Sequence, residues 1–147
     1  MASLAPLNEA EIKQFVEDWY KALDVHAPVD DVAPMVATEG LEMVFPEATL
    51  HTVDEFKGWY HAVTHRFFDE VHVVKDTRVT LEGDRAPVKV LVNWQARFWN
   101  APDRNSQWLG FDAYQSWVVV RSPQTQKPVI QFYGVDKLDP MEGSASL

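Results

Sequence analysis

"VLVNWQARFW", residues 90–99, alternates strictly between two faces. Val90, Val92, Trp94, Ala96 and Phe98 fall on one side, and Leu91, Asn93, Gln95, Arg97 and Trp99 on the other. A period of two is the signature of a β-strand, and a continuous apolar face marks the side turned to a core. The same period runs through 71–82, 87–99, 108–121 and 129–138. The segments between these runs, "EGD", "NAPDRNS" and "SPQTQKP", are short mixtures of turn-forming residues, which predicts a meander of four long antiparallel strands.

Upstream of Glu70 the period changes. "LNEAEIKQFVEDWYKAL" places Asn8 as N-cap with Glu11 three residues on, and Leu7 and Ile12 are spaced to form a hydrophobic staple. Ile12, Phe15, Val16, Trp19 and Leu23 then recur at helical spacing, and Pro28 limits the helix. "DDVAPMVATEG" predicts a short second helix capped by Asp30, with Gly40 in the left-handed position after it. "LEMVF" reads as a short strand ended by Pro46, with "ATLH" returning beside it. Thr52 and Glu55 form the capping box of a third helix expected to reach about Phe68, with Phe56, Trp59, Tyr60, Val63 and Phe67 on one face. Helices followed by long antiparallel strands make an α+β chain with the helices on one face of the sheet.

Composition narrows the function classes. A chain of 147 residues makes one domain, expected over 1–139, that buries roughly two-thirds of its unfolded surface. The tail 140–147, "PMEGSASL" from its proline onward, is expected to be flexible. Cysteine is absent, which removes disulfides and thiolate chemistry, and no run approaches the roughly 18 apolar residues of a membrane span. "MASLAPLNEAEIK" has neither a basic head nor an apolar run, so no secretory signal is read and the cytoplasm is the expected compartment. A net charge of −9 without a basic patch argues against nucleic acid and anionic lipid as partners.

The element order, with "FVEDWYKAL", "VFPEATLHTVDEFKGWY", "VHVVKDTRVTLEGDRAPVKVLVNWQARF" and "QSWVVV", resembles the nuclear transport factor 2-like superfamily. Within it the chain is similar to the SnoaL-like polyketide cyclases and the ketosteroid isomerase branch. The resemblance implies a cystatin-like cone: three N-terminal helices on a curved, mainly antiparallel sheet, with a pocket at the open end. Ketosteroid isomerase chemistry itself is not expected. Where such an isomerase has its donor tyrosine, base and protonated acid, this chain has Trp19, Phe45 and Gln115. Nor is the Asp, Arg, Asp set of an epoxide hydrolase in evidence.

Alignment with that fold turns Val90, Val92, Trp94, Ala96 and Phe98 inward, along with Phe111, Ala113, Gln115 and Trp117, and then Ile130, Phe132, Gly134 and Asp136. The implied pocket is bulky and aromatic, walled by Trp19, Phe45, Trp59, Trp94 and Trp117, with Gln115 and Asp136 as its few polar groups. Its ligand is expected to be small and apolar or aromatic. His72 is the candidate catalytic residue, since imidazole exchanges protons near neutral pH and several SnoaL-like proteins carry a histidine there. A half-exposed strand histidine is also a common structural residue.

His61 and His65 stand at i, i+4 but lie off the apolar face with no third ligand marked, so no metal site is expected. No cofactor is expected either. Asp69 and Glu70 read as solvated loop acids, and His26 as a residue with a local hydrogen bond. The outward sheet face, carrying Leu91, Trp99, Tyr114, Val118, Val120, Tyr133 and Val135 among polar neighbours, is too apolar for plain surface, which predicts a homodimer through it. Two functions remain open: a small enzyme with His72 moving a proton, or a noncatalytic ligand-binding or dimeric assembly module.

Overall fold

The computed structural model describes residues 4–147, so Met1–Ser3, where the stretch read for a secretory signal begins, lie outside it. The first helix, α1, spans Glu9–Asp24. The Asn8 side chain accepts from the Glu11 amide at 2.8 Å, satisfying one of the orphan donors of the first turn. Leu7 and Ile12 are both buried, as a staple requires. A short α2, Val29–Val32, passes into a 3-10 turn at Ala33–Met35. It begins one residue before the expected Asp30 cap, behind Pro28 and without a side-chain cap, and Pro34 sits in the 3-10 turn. Gly40 takes the expected left-handed φ, +68, but it lies five residues beyond Met35 and so does not cap the helix.

Strands β1, Glu42–Val44, and β2, Thr49–Leu50, pair antiparallel. The third helix, α3, spans Val53–Arg66 and is capped by Thr52, whose hydroxyl accepts from the Glu55 amide at 3.0 Å. It stops two residues before the expected end because Phe67 is already extended and opens a strand. The long strands are β3, Phe67–Val79, β4, Arg85–Phe98, β5, Gln107–Arg121, and β6, Pro128–Pro140. Together the six form one mixed sheet in the order β2-β1-β6-β5-β4-β3, in which only the β1 and β6 pair is parallel. The fold is α+β, three helices packed on a six-stranded sheet.

Two packed regions share the inward face of the sheet. The main core joins Ile12, Val16, Trp19 and Phe56 of the helices to Met43, Val88, Val92, Trp117 and Ile130 of the sheet. A smaller cluster of Ala96, Phe98, Leu109 and Phe111 fills the far end of β4 and β5, with Phe67 and Trp94 against it. In 90–99 the even-numbered residues turn inward and Asn93, Gln95 and Arg97 outward. Out there Gln95 donates to Asn93, Asn93 donates to Asp112, and Arg97 holds Ser106.

The alternation expected for β6 breaks twice. Val118 and Val119 pair with Phe132 and Ile130, and Tyr114 and Gln115 with Lys137 and Val135, so β6 carries one extra residue at each place. An extra residue reverses the phase of every side chain beyond it. Ile130 faces inward as expected, but after Gln131 it is Tyr133 and Val135 that turn in, while Phe132 and Gly134 turn out. Tyr133 and Val135 therefore leave the outer face to which the bare alternation consigns them. Residues 141–145 run back along β5, where the Met141 amide donates to the Gly110 carbonyl and the Ala145 amide to that of Trp108. Among the described residues no helix is long and apolar enough to cross a membrane.

Candidate functional site

Between the two packed regions lies a cavity of about 550 Å³ with a predominantly apolar lining. Phe45 and Trp59 form one wall, their rings stacked at 4.1 Å, with the Trp59 indole N–H bonded to Glu47 at 3.0 Å. Phe67, Trp94, Val92 and Ala113 form another, and Tyr133, Val135 and Leu138 of β6 close the side. Arg66 lines it too, with its guanidinium 4.6 Å from the Phe98 ring and a bond to Asn100.

His72 lines this cavity, on the inward phase of β3. Asp24, the last residue of α1, grips it twice: one carboxylate oxygen lies 2.6 Å from His72 Nδ1, and the other accepts the His72 backbone N–H at 3.0 Å. A carboxylate accepts and does not donate, so Nδ1 carries the proton and Nε2 keeps the lone pair of the neutral ring. The ring is also wedged between Tyr20, at 4.8 Å, and Trp94, at 6.1 Å and nearly parallel. Its side chain is 9% exposed. This is a fixed imidazole with an oriented tautomer, the arrangement of a general base.

Gln115 of β5 is held as tightly. Its Oε1 accepts the Tyr20 hydroxyl at 2.5 Å and the Trp117 indole N–H at 3.0 Å. An indole N–H only donates, so the amide orientation is fixed and its NH₂ group is the part available to the cavity that Gln115 lines. Burial pushes the Tyr20 phenol well above its usual range, with Tyr133 beside it acting in the same direction. Burial likewise pushes the Tyr133 phenol up to about 12. Both remain neutral hydrogen-bonding groups at physiological pH.

Of the residues expected at the site, His72, Phe45, Trp59, Trp94 and Gln115 meet around the cavity. Trp19 and Trp117 do not line it: both are fully buried behind its wall, 6.1 Å apart in edge contact, where their size completes the core. Trp117 acts on the cavity only through Gln115, and Trp19 leaves its indole N–H buried without a partner among the described residues. Asp136 is on the opposite face of the sheet, exposed and bonded to the Ser116 hydroxyl at 2.6 Å, because it is the second extra residue of β6.

Sequence reasoning missed Asp24 and Tyr20, which a helix period marks only as flank and core. It also misread Glu70. The Glu70 side chain is 9% exposed, lines the cavity, and accepts from the Trp94 indole N–H at 3.1 Å while its other oxygen meets His26 Nε2 at 2.5 Å. His61 and His65 lie on the exposed side of α3, their rings 4.1 Å apart.

Residues 7–124 match the family model for the SnoaL-like domain. No curated protein matches the chain. Solved structures do. A protein with a cystatin-like fold from Nostoc punctiforme PCC 73102 is 14% identical, with a TM-score of 0.71 over 99% of this chain and 100% of its own. A candidate scytalone dehydratase from Novosphingobium aromaticivorans DSM 12444 is 14% identical, with a TM-score of 0.73 over 94% of this chain and 87% of its own. A hexachlorocyclohexane dehydrochlorinase from Novosphingobium barchaimii LL02 is also 14% identical, with a TM-score of 0.72 over 94% of this chain and 92% of its own. At such identities the likeness is one of fold.

Proposed function

We propose that this chain, which belongs to the SnoaL-like domain family, is an enzyme that removes a proton from carbon in a small apolar or aromatic molecule. The observation that carries the reading is the His72–Asp24 pair: the carboxylate engages Nδ1, and His72 lines an apolar cavity. In this reading Nε2 of His72 takes the proton, and the Asp24 carboxylate, in contact with Nδ1, stabilises the imidazolium that forms. The acidity of the C–H bond comes from an adjacent carbonyl whose oxygen takes up negative charge, and the Gln115 NH₂ group is the donor placed to receive it. Phe45, Trp59 and Trp94 hold the apolar body of the substrate. Dehydrochlorination and dehydration, the reactions named for two of the solved neighbours, both require loss of a C–H proton and support elimination as the overall reaction.

The test uses 1-indanone, a flat apolar ketone with acidic hydrogens at C2. Wild-type protein in D₂O is expected to exchange those hydrogens faster than buffer, and His72→Ala to lose most of that rate. Exchange retained by His72→Ala contradicts the reading.

A second reading concerns assembly. Val71, Val73 and Tyr114 are exposed on the outer sheet face, 51%, 52% and 40% respectively, beside Leu91. Such a surface fits a homodimer formed sheet to sheet. Sedimentation is expected to give a dimer at micromolar concentration that Val73→Lys weakens; a wild-type monomer overturns it. A dimer whose wild-type protein exchanges 1-indanone no faster than buffer would favour the noncatalytic module.

A further inference from the structure

Glu70 and His26 form a second imidazole–carboxylate pair at the same cavity, with the roles reversed. In the first pair the histidine faces the cavity and the acid stands behind it. In the second the carboxylate lines the cavity and the imidazole stands behind, 29% exposed to solvent.

Backbone features place both partners. Phe68 pairs with Arg97 and Val71 with Gln95, so β3 carries one extra residue here, and Asp69 takes φ +52 to accommodate it. Because of that extra residue Phe67 and Glu70, three apart, both face the cavity. Without it Glu70 would point to the outer face. His26 takes φ +49 just beyond α1, where the Ala27 amide donates to Ala22 and the His26 amide to Leu23. A helix ending of this kind is ordinarily occupied by glycine. Two non-glycine residues are thus held in the left-handed region at or beside one ion pair, and such strain gathers at functional positions.

Trp94 joins the two pairs: its ring stacks on His72 and its N–H is donated to Glu70. His72 and Glu70 are two residues apart on one strand face, a separation of about 7 Å along the backbone. Substituents on adjacent carbons of one bound molecule can address both.

We infer that Glu70 is a second catalytic residue that protonates a departing hydroxyl group, that His26 reloads it from solvent, and that the substrate is a β-hydroxy carbonyl compound that loses water. This rests on the proton-abstracting role of His72 proposed above. In the reaction Nε2 of His72 takes the hydrogen on the carbon next to the carbonyl. The electrons of that C–H bond become the new C=C bond, and the C–O bond breaks with its pair moving to oxygen. The Glu70–His26 pair carrying two protons gives one to that oxygen, which leaves as water. His72 then releases its proton to solvent, and the pair regains one through the exposed imidazole of His26. The products are an enone and water, and nothing is oxidised or reduced. Hydroxide is a far poorer leaving group than chloride, so a second proton donor is the equipment a dehydratase needs and a dehydrochlorinase does not.

Two probes separate the steps: exchange at C2 of 1-indanone, which has no leaving group, and elimination from 3-hydroxy-1-indanone, followed as indenone forms. Glu70→Gln, which keeps an acceptor for Trp94, is expected to lower the ratio of elimination to exchange at least thirtyfold. His26→Gly relieves the left-handed backbone and so folds, and it is expected to lower the same ratio about tenfold, in line with a relay to an acid worth about 10²–10⁴. Added imidazole should restore it, which it would not do for a merely structural histidine. An unchanged ratio in Glu70→Gln overturns the inference while leaving the role of His72 intact. Wild-type protein that exchanges 1-indanone but does not dehydrate the hydroxy ketone overturns it as well. Loss of neither step in His72→Ala refutes the underlying proton abstraction instead.

Discussion

Replacing Asp24 by Asn isolates what the carboxylate does for His72. The two are nearly isosteric, yet Asp24 accepts two hydrogen bonds from His72, one on each oxygen. Asn has one oxygen, and if the backbone N–H of His72 keeps it, the amide NH₂ faces Nδ1. That forces the proton to Nε2, the atom required to be bare. The carboxylate charge is lost as well. An imidazolium and a carboxylate with charge centres about 4 Å apart attract by about 4 kcal/mol at the effective dielectric of a partly exposed site. Spent on the transition state, this corresponds to a rate factor of about 10³. Exchange at C2 of 1-indanone in D₂O, read by proton NMR, should therefore fall by about 10³ in Asp24→Asn. Urea denaturation of the same variant should show a loss of about 1–3 kcal/mol, because a hydrogen bond to a charged group is replaced by a neutral one. A rate within threefold of wild type, in a variant that folds, would refute the reasoning.

Tyr133 titrates near 12 in the fold against 10.0 free, so its contribution is complete below pH 10 and disappears as pH climbs from 10 through 12. Wild-type protein should lose about 3 kcal/mol over the whole window and about half of that by pH 11, and Tyr133→Phe less, as thermal melts at pH 8 and 11 would show. Trp19→Phe removes an unpartnered buried N–H, whereas Trp117→Phe strips a donor from Gln115. Trp117→Phe should be the more destabilising by about 1–3 kcal/mol in urea denaturation. Arg121, 8% exposed, holds Glu11 and the carbonyls of Ala5 and Pro6. Arg121→Met should cost about 2 kcal/mol, below the value for a fully buried pair because Glu11 stays partly hydrated, and thermal melts would read it.

The elements were legible where a period dominated. Capping residues Asn8 and Thr52, the apolar stripe of α1 and the alternation of β4 each gave the element that forms. The site was legible only in part, and for a definite reason. Its geometry depends on extra residues in strands, at Gln131 and Asp136 of β6 and around Asp69 of β3, and alternation alone carries no mark of them. Plain alternation therefore puts Asp136 inside and Tyr133 and Val135 outside, and leaves Glu70 as a solvated loop acid. Asp24 was missed for another reason. It meets His72 across 48 residues, a pairing created by how α1 crosses β3. His26, a bulky residue where a helix ending favours glycine, is a faint signal of the second pair.

Everything proposed for the cavity depends on His72 removing a proton from carbon inside it. The most direct test compares deuterium uptake at C2 of 1-indanone by wild type and by His72→Ala under identical conditions. Catalysed uptake is expected in the wild type, with a fall of at least a hundredfold in His72→Ala, within the range of about 10²–10⁴ for general-base catalysis. Equal uptake by the two proteins would contradict it.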